Sequence, residues 1–155
     1  MTRPPGPRAA AAFAGAKALL AGGDAPVALE RYRTAFDELI ATGEHYDASN
    51  IAHMAGVAEE DPARKHHWNV LALREAEAEP DRASVAGFYP SLDHNLAFSH
   101  LGLGDDTEAL RCLRLARSHF DALEPGPYAD RVKAAVTTRL EQLERALRGP
   151  EPPPP

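Results

Sequence analysis

The 155-residue sequence predicts an all-α protein, and three of its features support that prediction. Alanine and leucine supply most of the apolar residues, a balance that favours helix over sheet. Apolar residues recur at steps of three and four along most of the chain, and no segment alternates in the manner of a half-buried strand. The length is that of one domain with a core of its own.

Glycine and proline divide the chain into seven predicted helices. The first covers residues 9–21, is rich in alanine and ends at Gly22-Gly23. Asp24 stands in the capping position of the second helix. The apolar stripe of this second helix contains Ala28, Tyr32, Ala35, Phe36 and Leu39.

The remaining five helices are marked in the same way. The third covers about 46–59, and Asp61-Pro62 opens the fourth. The fifth runs to Leu103, the sixth follows Gly104-Asp105, and the seventh starts near Pro127. Turns are therefore predicted near 22–25, 43–45, 60–61, 80–83, 103–105 and 124–126.

Both ends of the chain are rich in proline, which lacks the amide hydrogen that helix and sheet require. We expect residues 1–8 to form a flexible N-terminal segment. Residues 9–148 are expected to form one helical domain, and residues 149–155 a disordered tail.

Charge and cysteine content exclude several classes of function. The net charge of −6 argues against nucleic acid or an anionic membrane as the main partner. The single cysteine, Cys112, excludes a disulfide framework and any zinc site with several cysteines, and it reads as a small buried residue. No apolar run approaches the roughly 20 residues that span a membrane. We expect a cytoplasmic protein without a cofactor, as a monomer or homodimer.

Two stretches of the chain repeat one another. Residues 23–29 and 104–110 both read G-D-x-x-x-A-L, and each is followed at equal spacing by a large apolar residue and an alanine. These pairs are Tyr32 with Ala35 and Leu113 with Ala116. Small residues let two helices cross closely, and glycine permits the tight turn between them. The pattern resembles the tetratricopeptide repeat (TPR), with about three degenerate helix pairs over residues 9–123.

The middle copy, about 45–80, departs from this pattern. It has Glu59-Glu60-Asp61 where Gly-Asp would stand, and Arg64 where the buried alanine would stand. The outer copies lie farther apart than two repeats of about 34 residues. The excess is expected around 77–90, as a longer loop or an early extension of the fifth helix, and Pro90 either opens or kinks that helix.

The last helix carries an apolar stripe of its own, formed by Tyr128, Val132, Val136, Leu140, Leu143 and Leu147. The TPR resemblance implies that this helix caps the end of the stack. The expected fold is therefore a TPR-like α-solenoid of seven antiparallel helices, three pairs plus a capping helix.

The resemblance also implies where a ligand would bind, namely on a concave groove lined by the first helix of each pair. The groove is expected to include Ser49 and Ser91 as polar residues. Its predicted ligand-binding residues are Phe13, Lys17, Tyr46, Asn50, His53, His94, Asn95 and Phe98. Aromatic rings among hydrogen-bonding groups suit a peptide or a small ligand.

Three functions remain open on these grounds. The favoured one is a non-enzymatic interaction module, an adaptor or regulator that binds a peptide or partner protein. The alternatives are a small-molecule sensor and a metal-dependent hydrolase, both using His53 and His94. Either Asp47 or Asp93 is expected close enough to complete a zinc site with these histidines. No nucleophile or phosphate-binding motif accompanies them.

Overall fold

The computed structural model describes residues 3–149, which form helices and no strand, so the all-α prediction is confirmed. Seven helices have 13 to 22 residues, and an eighth is a single turn. None of them is long and apolar enough to cross a membrane. They are α1 (Pro7–Ala21), α2 (Ala25–Thr42), α3 (His45–Ala58), α4 (Pro62–Ala78), α5 (Arg82–Val85), α6 (Tyr89–Gly102), α7 (Asp106–Ser118) and α8 (Pro127–Arg148).

The breaks between helices fall at or near the predicted turns, with short 3-10 turns at Ala86–Phe88 and Phe120–Ala122. Pro7 begins α1, so the helix starts two residues before the predicted position. The predicted disordered tail from residue 150 onward lies outside the described residues.

The two Gly-Asp turns have the same backbone geometry. Gly23 has φ 81° and Gly104 has φ 77°, values in the left-handed region that favours glycine. The N–H of Gly23 donates to the Leu20 carbonyl, and that of Gly104 to the Leu101 carbonyl, each at 3.1 Å. These bonds satisfy carbonyls that a helix end leaves free.

An aspartate caps the second helix of each predicted pair. Asp24 accepts from the Val27 N–H and Asp105 from the Glu108 N–H. In the middle copy Asp61 accepts from the Arg64 N–H at 2.9 Å. Asp61, and not Glu60, therefore corresponds to the capping aspartates, one residue later than the sequence alignment placed it.

Small residues occupy the tight helix crossings of the outer copies. Ala28 and Ala109 are fully buried, as are the large residues Tyr32 and Leu113 that follow them at equal spacing. Because a close crossing leaves no room for a larger side chain, alanine at these two positions sets the distance between the paired helices.

Each long helix packs on the next one in the chain, and α4 contacts α6 across the short α5 segment. In addition, α1 contacts α3 and α6 contacts α8. One cluster of buried apolar residues comes mainly from α1 to α4, and a second joins α6, α7 and α8. The α-solenoid arrangement itself stays a prediction.

The segment around 77–90 is a broken helical extension that leads into α6. Asp81 caps α5, whose Val85 is fully buried, and the 3-10 turn follows without a gap. Pro90 lies in the first turn of α6 and therefore opens that helix.

The apolar stripe of α8 is buried only in its middle. Val136, Leu140 and Leu143 pack in the cluster with α6 and α7. Tyr128 and Leu147, at the two ends of the stripe, are 45% and 52% exposed. Both ends of the stripe are therefore left partly open to solvent, although the Tyr128 hydroxyl bonds to Ser91 of α6.

Candidate functional site

Three adjoining concavities run along α1, α3, α6 and the first turns of α8, and together they are called the groove. The central concavity has a volume of about 310 Å³ and shares Phe13 and Asn50 with a neighbour of about 400 Å³ that contains Lys17. It shares His53 and Tyr128 with a third concavity of about 310 Å³. Shared residues at both junctions make the groove continuous.

The structure brings seven of the eight predicted ligand-binding residues to the groove. These are Phe13, Lys17, Tyr46, Asn50, His53, His94 and Asn95. Ser49 and Ser91 also line it. Phe98 lines none of the three concavities; its ring is 46% exposed and lies 5.2 Å from the Arg139 guanidinium.

Tyr46 forms the floor of the central concavity, held by bonds on both sides. Its backbone N–H donates to Glu79 at 2.9 Å, and its carbonyl accepts from the Asn50 amide at 3.0 Å. Its ring packs against Phe88, with centroids 5.2 Å apart. Burial raises the pKa of the Tyr46 phenol, so the hydroxyl keeps its proton and acts as a donor at neutral pH.

His53 and His94 line the far end of the groove as neutral side chains. Burial lowers the pKa of both histidines below 6.5. For His94, a hydrogen bond with Asn95 raises the pKa and the Arg139 charge lowers it, and both effects are smaller than that of burial. The Asn95 amide nitrogen lies 3.2 Å from His53 Nδ1. Both rings therefore present hydrogen-bonding groups and not charges at pH 7.

The carboxylates expected near these histidines have other partners. Asp47 accepts from the Gly6 N–H at 3.0 Å, and Asp93 Oδ2 lies 3.1 Å from His119 Nδ1. Within residues 3–149, no group of three histidine, cysteine, aspartate or glutamate residues is arranged to hold a metal ion. The geometry thus does not assemble the zinc site that a hydrolase would need.

Cys112 offers no alternative nucleophile. Its side chain is buried between α6, α7 and α8, and burial raises the pKa of its thiol to about 11. A thiol that stays protonated at neutral pH is a poor nucleophile.

Sequence reasoning missed three groups that line the groove. Tyr128 belongs to α8, and its hydroxyl donates to Ser91 Oγ at 3.1 Å. Phe88 lies in the 3-10 turn before α6, and Arg3 precedes the first helix. None of these positions carries a local pattern that marks it as part of the groove, because each is placed there by packing between distant segments.

Comparison with known proteins reveals no relative. No family model matches this chain, and no curated protein or solved structure matches it. The internal G-D-x-x-x-A-L repetition is therefore the basis of the resemblance to the TPR family.

Proposed function

We propose that this protein is a non-enzymatic TPR-like interaction module, an adaptor or regulator that binds an extended peptide of a partner protein in the groove. The observation that carries the proposal is the continuity of the groove across elements distant in sequence. Its walls come from α1, α3, α6 and α8. A peptide laid along them would contact each in turn.

The chemistry of the walls supports a peptide more than a reaction. The groove is lined by aromatic rings from Phe13, Tyr46 and Tyr128 and by the amides of Asn50 and Asn95. Rings offer large apolar area at low entropy cost, and amides pair with the peptide backbone.

The solenoid part of the proposal is supported by the outer copies of the repeat. Gly23-Asp24 and Gly104-Asp105 form turns of the same geometry, each with a buried alanine four residues after the aspartate. Helices packed on their neighbours in the chain, with α8 over the last pair, are what a short capped stack requires.

A small-molecule sensor is the second candidate, and the central concavity favours it. Its volume of about 310 Å³ falls at the lower end of the range for ligand pockets, and apolar side chains supply much of its lining.

Selection of phage-displayed random peptides on the full chain tests the proposal. For a selected peptide, we expect Tyr46→Ala and His94→Ala each to raise the Kd about tenfold, because both remove side chains that line the groove. Glu30→Ala serves as the control, since Glu30 is exposed on α2, away from the groove. Equal affinities of all three variants would move the site elsewhere.

A further inference from the structure

The N-terminal segment Arg3–Gly6 lies in the central concavity of the groove. Arg3 and Pro5 are among the residues that line it. The Arg3 guanidinium stacks 4.1 Å from the centroid of the Tyr46 ring, and the Tyr46 hydroxyl donates to the Arg3 carbonyl. The chain's own end thus makes both side-chain and backbone contacts with the floor of the groove.

Gly6 completes these contacts by a close backbone approach. Its N–H donates to Asp47 Oδ2 at 3.0 Å. A Cβ atom at this position would lie 2.7 Å from the same oxygen, closer than real contacts allow. An alanine here would therefore force the Asp47 carboxylate to shift and would weaken the Gly6 hydrogen bond, although the φ of −63° suits any residue.

Asp47 is built for more hydrogen bonding than the segment supplies. The residue is 3% exposed, and its other oxygen, Oδ1, is buried without a hydrogen-bond partner among residues 3–149. A buried carboxylate oxygen without a donor destabilises the fold, so stability does not account for its presence.

The backbone of the segment has the conformation in which proline-rich peptides are recognised. Gly6 has φ −63° and ψ 166°, close to polyproline II, and Pro4 and Pro5 fix their own φ near that value. Apart from Arg3 itself, the described residues that line the central concavity are uncharged, and Phe13, Tyr46, Phe88 and Tyr128 are aromatic. Aromatic grooves of this kind bind extended proline-rich peptides.

We infer that the groove binds an extended, proline-rich peptide with an arginine placed over Tyr46, and that Arg3–Gly6 occupies this site as an intramolecular competitor. The inference rests on the proposed function and names the ligand class of the same groove. A partner peptide of the Arg-Pro-Pro-Gly type displaces the segment, because it makes the same stacking contact and the same bonds to Tyr46 and Asp47.

The test is fluorescence anisotropy with the full chain and a labelled peptide of sequence Arg-Pro-Pro-Gly-Pro. Gly6→Ala weakens the seating of the competitor, because the new Cβ atom displaces the Asp47 carboxylate that accepts the Gly6 N–H. Gly22→Ala is the matched control, because the nearest atom to its new Cβ is 3.5 Å away. A tethered segment competes at an effective concentration of about millimolar, so we expect Gly6→Ala to lower the Kd about tenfold relative to Gly22→Ala. If Gly6→Ala loses helicity by circular dichroism, Arg3→Ala replaces it with the same expected direction.

Two further arms locate the peptide. In the Gly6→Ala background, Tyr46→Ala is expected to abolish binding, and a peptide with glutamate in place of arginine is expected to bind about tenfold more weakly. Equal Kd values for Gly6→Ala and Gly22→Ala would overturn the inference. If phage-selected peptides bind through Tyr46 and the proline-rich peptide does not, this inference alone fails. If neither binds, the proposed function fails with it.

Discussion

The two Gly-Asp turns and the turn of the middle copy at residues 59–61 both connect paired helices, but different interactions stabilise them. At Gly23 and Gly104 a left-handed glycine reverses the chain, and a short aspartate caps the next helix. The middle turn has no glycine. There Glu59, with 4% of its surface exposed, accepts from the N–H groups of Glu60 and Asp61 and from the Arg64 guanidinium, at 3.0 to 3.2 Å.

The difference shows that a turn between two helices can depend either on the conformational freedom of a glycine or on hydrogen bonds to a buried side chain. Glycine turns need nothing from the rest of the chain, since their bonds are local. The Glu59 turn instead depends on a buried carboxylate and four hydrogen bonds to it, so its stability depends on pH and on the partner Arg64.

The largest expected effect is therefore at Glu59. Glu59→Ala leaves two backbone N–H groups and a guanidinium without their acceptor, and we expect it to lower the free energy of unfolding by about 3 kcal/mol. Urea denaturation measures it. Glu60→Ala is the control, since Glu60 is exposed. Equal midpoints for the two variants would show that the Glu59 bonds contribute nothing.

The same turn predicts a pH dependence. Burial raises the pKa of Glu59, but the bonds from Arg64, Asp61 and Glu60 and the Arg64 charge outweigh it and leave that pKa below 4.5. The unfolded chain then binds more protons, so this stabilisation is present above pH 4.5 and lost as pH falls through the folded pKa. Glu59→Gln is expected to flatten that loss.

Next in size are substitutions at the close crossings. Ala28→Leu and Ala109→Leu overpack fully buried sites, and we expect each to cost about 2 kcal/mol. Lys65 holds the corresponding place in the middle copy, four residues after its capping aspartate, and is half-buried. Lys65→Leu is expected to cost under about 1 kcal/mol. If all three variants lost the same free energy of unfolding in denaturant melts, the result would contradict the alignment of the middle copy with the outer copies.

A smaller effect is expected from the turn glycines. A Cβ at Gly23 or Gly104 would meet no atom within 4 Å, so alanine there tests backbone strain alone. We expect Gly23→Ala and Gly104→Ala each to lower the free energy of unfolding by about 1 kcal/mol. Gly22→Ala, with φ −82°, should cost less. If Gly22→Ala and Gly23→Ala lowered the free energy of unfolding equally, the left-handed conformation of Gly23 would not contribute to the cost of the substitution.

A second pH effect concerns Asp93, a buried carboxylate with fewer donors than Glu59. Burial raises the pKa of Asp93 to about 6, although the His119 contact and the Arg111 charge lower it. The folded state then binds more protons, so this contribution is present below pH 3.8 and lost as pH rises through about 6. We expect Asp93→Asn to become more stable relative to the wild type as the pH rises from 4 to 7.5. Thermal melts across this pH range measure the difference. A difference in stability between the two proteins that does not change with pH would contradict the raised pKa of Asp93.

Local features of the sequence predicted the helices and the turns between them. The positions of Asp24, Asp61 and Asp105 each determine a helix start within a few residues, since a cap bonds to the third residue after it. The repeat also placed Ala28 and Ala109 in the buried crossings. These interactions span short stretches of chain, so the order of residue types is enough to identify them.

Seven of the eight residues that the TPR resemblance implied for the groove line it, because residues at equivalent positions of successive helix pairs share a face. Phe98 does not line it, and its ring lies beside the Arg139 guanidinium of α8 instead. The sequence located the Asp61 cap, but the repeat alignment placed Arg64 instead of Lys65 opposite the buried alanines, because that turn has an extra residue held by the buried side chain of Glu59.

The sequence by itself therefore determined the all-helical class, the positions of most turns, the two glycine turns and the buried alanines at positions 28 and 109. Only the tertiary structure brought Tyr128 to Ser91, Phe88 to Tyr46, and Arg3 over the Tyr46 ring. The physical reason is the distance along the chain over which each kind of interaction acts. Caps, turns and periodicity arise from bonds within a few residues, whereas these contacts join segments about 40 residues apart, and their geometry exists only after the helices have packed.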